Sequence, residues 1–245
     1  MLVPGFAGTF SLLETYIGKR PRRGPFPLES ALTWSILLNT QSLNEIRGSV
    51  LEIGVEFGTS AFLLLEALHP GEHATLIDLA TTRDWMDGIN GPYRDQADYT
   101  FIVGNTLHME QSQLPGGCRW IHIDGGHLHR HVLNDLQLTA NSLSEDGILV
   151  LDDFFEIRWP DVTFAAMEYL KDNEQIFPFL LVNRKLYCAR SEDRAGQYAR
   201  TFASFVRENV TAIGQARYWE NVEMLGRTVL VVKMDMSERL ASLEK

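Results

Sequence analysis

The chain of 245 residues is long enough for one large domain with an appended segment. Hydrophobic residues make up 45% of it and charged residues 22%, a composition typical of a globular protein with a sizeable core. The formal net charge of −10 argues against a nucleic-acid partner, because proteins bind a phosphate backbone through a basic surface.

Cysteine spacing and hydropathy restrict the cellular location of the protein. The only two cysteines, Cys118 and Cys188, fit neither a disulfide framework nor a zinc site by their spacing. No apolar run in the sequence reaches the length of a membrane span, and the N-terminus lacks a signal-peptide pattern. We therefore predict an unprocessed cytoplasmic protein that has no membrane partner.

The first 48 residues predict a helical preface. Apolar residues at helical spacing indicate one short helix over residues 11–17 and a longer one over residues 28–46. Gly18 and the prolines after it end the first helix. We assign residues 1–48 to an N-terminal helical cap and residues 49–245 to one α/β domain with a C-terminal helix–strand extension.

A strand, a glycine turn and a helix follow one another over residues 50–68. The apolar strand at residues 50–53 leads into a turn with Gly54 and Gly58, and Thr59 and Ser60 open the helix. This order is the nucleotide-binding opening of a doubly wound α/β sheet, where backbone N–H groups and the positive helix end face the ligand. The alternative is an ordinary strand–helix turn whose glycines serve packing.

The spacing within this turn separates two cofactor classes. Glu52 precedes Gly54 by two residues and Gly58 follows by four, which differs from the G-x-G-x-x-G pattern of dinucleotide sites. The form resembles motif I of the class I S-adenosylmethionine-dependent methyltransferases. That resemblance implies S-adenosylmethionine as cofactor, with Glu52, Gly54, Gly58, Thr59 and Ser60 around its methionine end.

The second and third predicted strands each lead to a polar residue. Asp78 ends the strand at residues 74–79, about 20 residues beyond the glycine turn, where an acid can accept hydrogen bonds from ribose hydroxyls. Its alternative role is to cap the next loop. Asn105 follows the strand at residues 99–103, and the family resemblance places it near the adenine. Residues 80–98, between the two strands, form a polar loop of a length that is often functional.

Acidic residues end the fourth and fifth predicted strands. A helix over residues 129–142 joins the two strands and makes them parallel neighbours, so Asp124, Asp152 and Asp153 meet at the carboxyl edge of the sheet. Three close carboxylates repel one another unless a cation compensates them, and Mg²⁺ prefers such ligands. The alternative is that Asp152 and Asp153 cap the following loop.

His127 stands three residues after Asp124, in the loop beyond the strand. A hydroxyl bound to a divalent cation loses its proton more easily, and a nearby imidazole can take that proton. His127 is therefore a candidate general base, with a role as direct metal ligand or as structural residue left open. His122 lies within the strand and is expected in the core, whereas His129 opens a helix and is expected at the surface.

Longer motifs extend the resemblance. Ile-Asp-Gly-Gly-His at residues 123–127, Asn-Asp-Leu at 134–136 and Gly-Ile-Leu-Val-Leu-Asp-Asp at 147–153 resemble class I enzymes of the macrocin O-methyltransferase type, which methylate sugar hydroxyls with Mg²⁺. The acids are also arranged as in catechol O-methyltransferase, where a lysine base takes the place of His127. The resemblance implies divalent-metal-dependent O-methylation of a sugar or vicinal diol, with Asp124 near both cofactor and metal.

Proteins with two other functions have a similar fold and are the alternatives to a methyltransferase. A nicotinamide-dependent oxidoreductase would lack a task for the clustered aspartates. A non-catalytic cofactor-binding protein would not need them. The acceptor stays unnamed, and a homo-oligomer is compatible with the sequence.

The predicted fold is a Rossmann-like, doubly wound α/β fold with a mostly parallel seven-stranded sheet. After a helix over residues 160–170, a β-hairpin over residues 177–189 supplies a sixth strand and an antiparallel seventh. The strand at residues 228–232 is the other candidate for the seventh position. An amphipathic helix around Phe202 lies between them.

Overall fold

The computed structural model describes residues 7–20, 24, 26–80, 93, 97–213 and 215–235. Most of the loop predicted over residues 80–98 therefore lies outside the described residues. Within the described ranges, no helix combines the length and the apolar character needed to cross a membrane.

The elements alternate between strands and helices along most of the chain. The helices are α1 (Ala7–Lys19), α2 (Leu28–Leu43), α3 (Thr59–Glu66), α4 (His129–Thr139), α5 (Pro160–Asp172) and α6 (Glu192–Ile213). The strands are β1 (Ser49–Ile53), β2 (Ala74–Asp78), β3 (Tyr99–Val103), β4 (Cys118–Ile123), β5 (Leu143–Leu151), β6 (Phe177–Val182), β7 (Lys185–Ala189), β8 (Gln215–Met224) and β9 (Arg227–Asp235).

All the described strands join one sheet in the order β3-β2-β1-β4-β5-β7-β6-β9-β8. Strands β7 and β8 run antiparallel to their neighbours, and the other pairings are parallel. The prediction of a doubly wound, mostly parallel α/β sheet is confirmed. The predicted number of seven strands was wrong, because β9 pairs with β6 and β8 adds a further strand outside it.

The structure also decides which segment is the inserted antiparallel strand. It is β7, the second arm of the predicted hairpin, which lies between β5 and β6. Strand β9, at the position of the other candidate, instead covers the outer edge of β6. Covering that edge removes a row of unpaired backbone groups that would otherwise invite association with another chain.

Packed side chains fill both faces of the sheet. Helix α2 buries most of its length on one face, where the Trp34 ring lies 5.1 Å from the Trp120 ring and 4.7 Å from the His122 ring. Helices α4 and α5 pack on the opposite face with side chains such as Leu136 and Tyr169. The predicted preface thus shares its core with the sheet, while the predicted division of the chain at residue 48 stays a prediction.

The strand order reverses between β1 and β4. From β1 the chain continues to β2 and β3 on one side, and β4 and β5 lie on the other. Ligands of open α/β sheets bind outside the carboxyl ends of the strands at such a reversal. The topology therefore places the residues after β1, β2, β3, β4 and β5 around one position.

Candidate active site

A cavity of about 500 Å³ opens at this edge of the sheet. The predicted site residues that line it are Gly54, Thr59, Ser60, Asp78, Asn105, Asp124, His127, Asp152 and Asp153. Glu52 and Gly58 are the predicted residues that are not among its described lining. The structure therefore brings together residues that lie up to 99 positions apart in the sequence.

The two glycines of the turn have different tasks. Gly54 has φ +87°, and a Cβ there would lie 1.9 Å from the carbonyl oxygen of Asp124, so this position needs glycine for close packing of β1 against the end of β4. Gly58, with φ +76°, is the N-cap of α3, and its carbonyl accepts the hydrogen bond of Phe62 N at 2.8 Å. Gly58 thus shapes the start of the helix rather than the cavity wall.

Asp78 is tied to the glycine turn. Its Oδ2 accepts hydrogen bonds from Val55 N at 2.8 Å and from Glu56 N at 2.7 Å, and Oδ1 accepts one from Leu79 N at 2.6 Å. The carboxylate therefore holds the turn in place at the cavity wall. Each carboxylate oxygen can accept more than one hydrogen bond, so ribose hydroxyls can still be bound there.

Asn105 lies at the far end of the cavity, after β3. Its Oδ1 accepts a hydrogen bond from Leu107 N at 3.0 Å and thereby caps a short 3₁₀ turn, Thr106–His108. The amide nitrogen is then the part of the side chain that can contact an adenine edge as a donor.

Glu52 is not among the residues that line the cavity, and its predicted contact with the cofactor stays a prediction. It is fully buried, and its Oε1 lies 2.7 Å from Nδ1 of His122. The two residues are register partners on β1 and β4 and therefore face the same side of the sheet. His122 is buried as predicted, and the pair forms a polar layer beneath the site.

The acidic residues divide into two groups that share Asp124. One ligand atom each of His122, Asp124 and Asp152 lies within 4.8 Å of the others, and the same holds for Asp124, His127 and Asp153. Among the described residues, no group within that distance contains all three aspartates. Asp152 and Asp153 are sequence neighbours whose side chains point to different partners.

Lys185 explains why Asp152 and Asp124 differ electrostatically. Its ammonium group is buried and forms an ion pair with Asp152. Burial alone would raise the pKa of Asp152, but the positive charge and hydrogen bond of Lys185, together with His122 and the backbone N–H of Asp153, outweigh burial and hold that pKa well below the usual range. Burial raises the pKa of Asp124 well above its usual value, and the negative charge of Asp152 raises it further.

His127 is held in place from two sides. Its Nε2 lies 3.1 Å from Oδ2 of Asp153, and its ring stacks on Trp159 with 4.7 Å between centroids and 13° between planes. A third of the side chain is exposed to the cavity. His129, by contrast, turns away and pairs with Glu168 at 2.9 Å.

The sequence analysis missed a group of basic residues on the cavity wall. Arg158, Arg184 and Lys185 line it, and both arginines pair with Glu156, a carboxylate that is 7% exposed. A signal was present, because a polar turn that follows a strand parallel to β5 must lie at the same edge as Asp152. That turn is the one between β6 and β7, which begins at Asn183.

Comparison with known proteins agrees with this geometry. Residues 51–154 match the family described as "Methyltransferase domain", a stretch that runs from β1 to just beyond Asp153. Comparison with curated proteins gave no match.

Two solved structures share the fold. The O-methyltransferase NovP has 13% identity and a TM-score of 0.58, with 75% of this chain and 98% of that chain covered. The MycE methyltransferase from the mycinamycin biosynthetic pathway, in complex with Mg, SAH and mycinamycin VI, has 15% identity and a TM-score of 0.52. That match covers 75% of this chain and 53% of the MycE chain, so the chain spans about half the length of MycE.

The sheet order, the glycine turn at the reversal point and the family match define a class I methyltransferase fold. The chain carries a methyltransferase domain over residues 51–154 within this fold. The match to a methyltransferase domain favours this function over the two alternatives, an oxidoreductase and a non-catalytic binding protein.

Proposed function

We propose that the enzyme transfers the methyl group of S-adenosylmethionine to a hydroxyl oxygen of a small molecule, of the sugar or vicinal diol type. The observation that carries this proposal is the group of Asp124, His127 and Asp153, whose ligand atoms lie within 4.8 Å of one another. This group lies after β4 and β5, whereas the turn, Asp78 and Asn105 lie after β1, β2 and β3. The cofactor and the acceptor thus have separate ends of one cavity.

A divalent cation fits the acidic end. The donors are carboxylate oxygens, which hard cations such as Mg²⁺ prefer. The pKa of Asp124 is raised first by burial and then by the negative charge of Asp152, and a cation would neutralise that charge. We propose Asp124, Asp152 and Asp153 as its ligands. Asp124 belongs to both groups of close ligand atoms, and the cation would compete with Lys185 for Asp152. When bound, it would supply a Lewis acid that favours ionisation of the acceptor hydroxyl. The Mg in the MycE complex is consistent with this proposal.

His127 is the proposed base. Asp153 at Nε2 favours the imidazole form with its proton on that nitrogen, so Nδ1 carries the lone pair that can accept the hydroxyl proton. Trp159 keeps the ring in one plane, and its aromatic face favours the imidazolium that forms. S-adenosylmethionine, when bound at the other end of the cavity, would supply the methyl group that the ionised oxygen accepts and would leave as S-adenosylhomocysteine, and positioning of the acceptor by these residues would contribute much of the rate.

The test measures transfer of labelled methyl groups to a panel of sugars and vicinal diols. Chelation with EDTA should abolish transfer, while calorimetric affinity for S-adenosylhomocysteine stays within a few-fold. Asp153→Asn should reproduce the loss at ordinary Mg²⁺ concentrations. Transfer to amines or carbon nucleophiles, with none to hydroxyls, would contradict the O-methyltransferase proposal.

Lys185 favours a second candidate, the same transfer without a bound cation. Its buried ammonium already neutralises Asp152 and lies 5.3 Å from the Phe26 ring centroid at the cavity wall. In this case turnover persists in EDTA and falls sharply in Lys185→Met, while Lys185→Arg keeps part of it. Loss of turnover in EDTA would by itself exclude this metal-free candidate.

The cytoplasmic location and the absence of a nucleic-acid partner remain part of the proposal. Both cysteines are unpaired and buried, which supports a reducing compartment.

A further inference from the structure

We infer that Arg158 and Arg184 form a subsite for an anionic group, a carboxylate or a phosphate, carried by the methyl acceptor. The inference rests on the hydroxyl methylation proposed above. It concerns which hydroxyl-bearing molecules the cavity selects.

The charges of the two arginines are only partly compensated. Arg158 Nε lies 2.9 Å from Oε1 of Glu156, and the Arg184 guanidinium pairs with the other carboxylate oxygen of Glu156. One carboxylate thus serves two guanidinium groups, so one positive charge remains. The arginine side chains line the cavity and are 68% and 47% exposed, while Glu156 is 7% exposed, so guanidinium N–H donors remain accessible to a ligand.

Both segments that present these arginines have positive φ angles. Asn183 and Arg184, with φ of 45° and 72°, form the two-residue turn between β6 and β7, where such angles match the twist of the paired strands. Asp153 and Phe155, with φ of 54° and 62°, lie outside any such hairpin turn, and non-glycine residues adopt this region at a cost. The two segments are joined directly, because Phe154 N donates to the carbonyl oxygen of Arg184 at 2.8 Å.

The place of the two arginines in the sheet order indicates that they contact the methyl acceptor and not the cofactor. The cofactor residues Gly54, Asp78 and Asn105 follow β1, β2 and β3, whereas Arg158 follows β5 and Arg184 lies between β6 and β7. In the sheet, β4 and β5 with their aspartates lie between the two sets. An anionic group on the arginines would therefore hold the acceptor across the aspartates from the cofactor.

Charge complementarity favours an anion at this place. The whole chain has a net charge of −10, so a surplus guanidinium at the cavity mouth is a local exception. The planar guanidinium matches carboxylate and phosphate groups with two parallel hydrogen bonds. A neutral acceptor would leave these donors to water.

The test uses the full-length protein saturated with S-adenosylhomocysteine and needs no turnover. Inorganic phosphate and acetate are titrated separately while the arginine Nε–Hε resonances are followed by NMR, with the two signals assigned through Arg158→Lys and Arg184→Lys. We expect saturable shifts at both arginines and, in either single variant, roughly tenfold weaker binding, because one charged hydrogen-bonding partner is altered. Each variant keeps one arginine paired with Glu156, which protects the fold.

The outcomes separate the sources of the anion. Saturation with phosphate alone would indicate a phosphate group on the acceptor, and saturation with acetate alone would indicate a carboxylate. Either result, or saturation with both anions, would support the subsite. Arg207→Lys is the control, since that guanidinium lies 5.4 Å over the Trp219 ring, away from the cavity lining. Shifts that never saturate, or that match those of Arg207, would overturn the inference. So would a parallel loss of S-adenosylhomocysteine affinity, which would assign the arginines to the cofactor. None of these results depends on hydroxyl methylation, which the transfer assay tests.

Discussion

At the scale of single residues, His127 is the group whose replacement should affect chemistry alone. It contacts Asp153 and Trp159 at the cavity and carries no part of the sheet core. We expect His127→Ala to lower kcat by about 10²- to 10⁴-fold, the usual contribution of a positioned base. Affinity for S-adenosylhomocysteine, measured by calorimetry, should not change.

His129→Ala is the matched control for this variant. It removes an imidazole two residues away that pairs with Glu168 on the surface. We expect kcat within about twofold of the original enzyme, as for most surface substitutions away from a site. If His127→Ala keeps kcat within a few-fold, the base is another group.

Gly54 offers a second test at this scale, because Gly71 has a similar backbone conformation and can serve as its control. Gly54 and Gly71 have similar positive φ angles, +87° and +84°, but a Cβ at Gly71 meets no atom within 4 Å among the described residues. Gly71→Ala should cost about 1 kcal/mol for the left-handed backbone. Gly54→Ala should cost about 1–3 kcal/mol more, because its Cβ collides with the backbone of Asp124.

Urea unfolding of both variants measures these costs, and calorimetry with S-adenosylhomocysteine measures the consequence for the site. We expect Gly54→Ala to weaken cofactor binding, since the collision displaces Asp124 at the cavity wall. Equal stability losses in the two variants would show that the close approach of β1 and β4 is not needed.

At the scale of elements, the added strands β9 and β8 lead us to expect that resistance to local unfolding differs from strand to strand across the sheet. Strand β7 is hydrogen-bonded to β5 and β6, whereas β8 is hydrogen-bonded to β9 alone among the described strands. Amide hydrogen exchange should therefore be slowest in β7, where it requires global unfolding, and fast for the outward-facing amides of β8. Strand β3, at the other edge, should resemble β8.

Equal protection in β7 and β8 would contradict this expectation for an isolated chain. Repeating the exchange at several protein concentrations identifies the cause. Protection of β8 that grows with concentration would indicate that a second copy covers this edge, as a homo-oligomer requires.

The elements also show why the sequence predicted one half of the site better than the other. Gly54, Asp78 and Asp124 follow buried strands that alternate with helices, so each could be placed at the sheet edge from periodicity alone. The polar turn that holds Arg184 and precedes Lys185 is visible in the sequence, but its place beside Asp152 depends on the insertion of β7 between β5 and β6, a long-range pairing that local pattern does not encode. The partner of Glu52 could not be predicted either, because it depends on the register between β1 and β4 that pairs Glu52 with His122.

Strand β8 was missed for a related reason. Its residues, from Gln215 to Met224, mix charged and aromatic side chains without the apolar run that identified β9. An edge strand exposes much of its surface to water, so its sequence carries little of the hydrophobic signal.

At the scale of the whole molecule, a buried ion pair joins β4 to the segment before β2, and hydrogen bonds with Gln41 connect this pair to the preface. Arg119 on β4 is fully buried and donates from Nε and Nη2 to the two carboxylate oxygens of Glu72, at 2.8 and 2.7 Å. Its Nη1 donates to Gln41 Oε1 of α2 at 3.0 Å, and Gln41 Nε2 donates to the Arg119 carbonyl at 2.7 Å. A buried pair of this kind costs about 3–5 kcal/mol when one partner is removed.

This pair should make the fold sensitive to acid. Burial alone would raise the pKa of Glu72, but hydrogen bonds from Arg119 and from the backbone of His69 and Gly48 outweigh it, so the pKa is lowered from 4.5. A carboxyl whose pKa is lower in the folded state binds fewer protons there than in the unfolded state. Its stabilising contribution is therefore complete above about pH 5 and is lost as the pH falls through the folded-state pKa.

The measurement compares urea unfolding of the original protein and Glu72→Gln between pH 7 and pH 3. We expect the variant to be less stable by about 3 kcal/mol at pH 7. The difference should shrink as the pH falls below about 4.5, because the protonated glutamic acid resembles the amide. Glu168→Gln, which removes a half-exposed carboxylate on α5, should leave the curve within about 0.5 kcal/mol of the original at every pH. A constant difference between the original protein and Glu72→Gln across this range would mean that Glu72 supports the fold through its shape and hydrogen bonds and not through its charge.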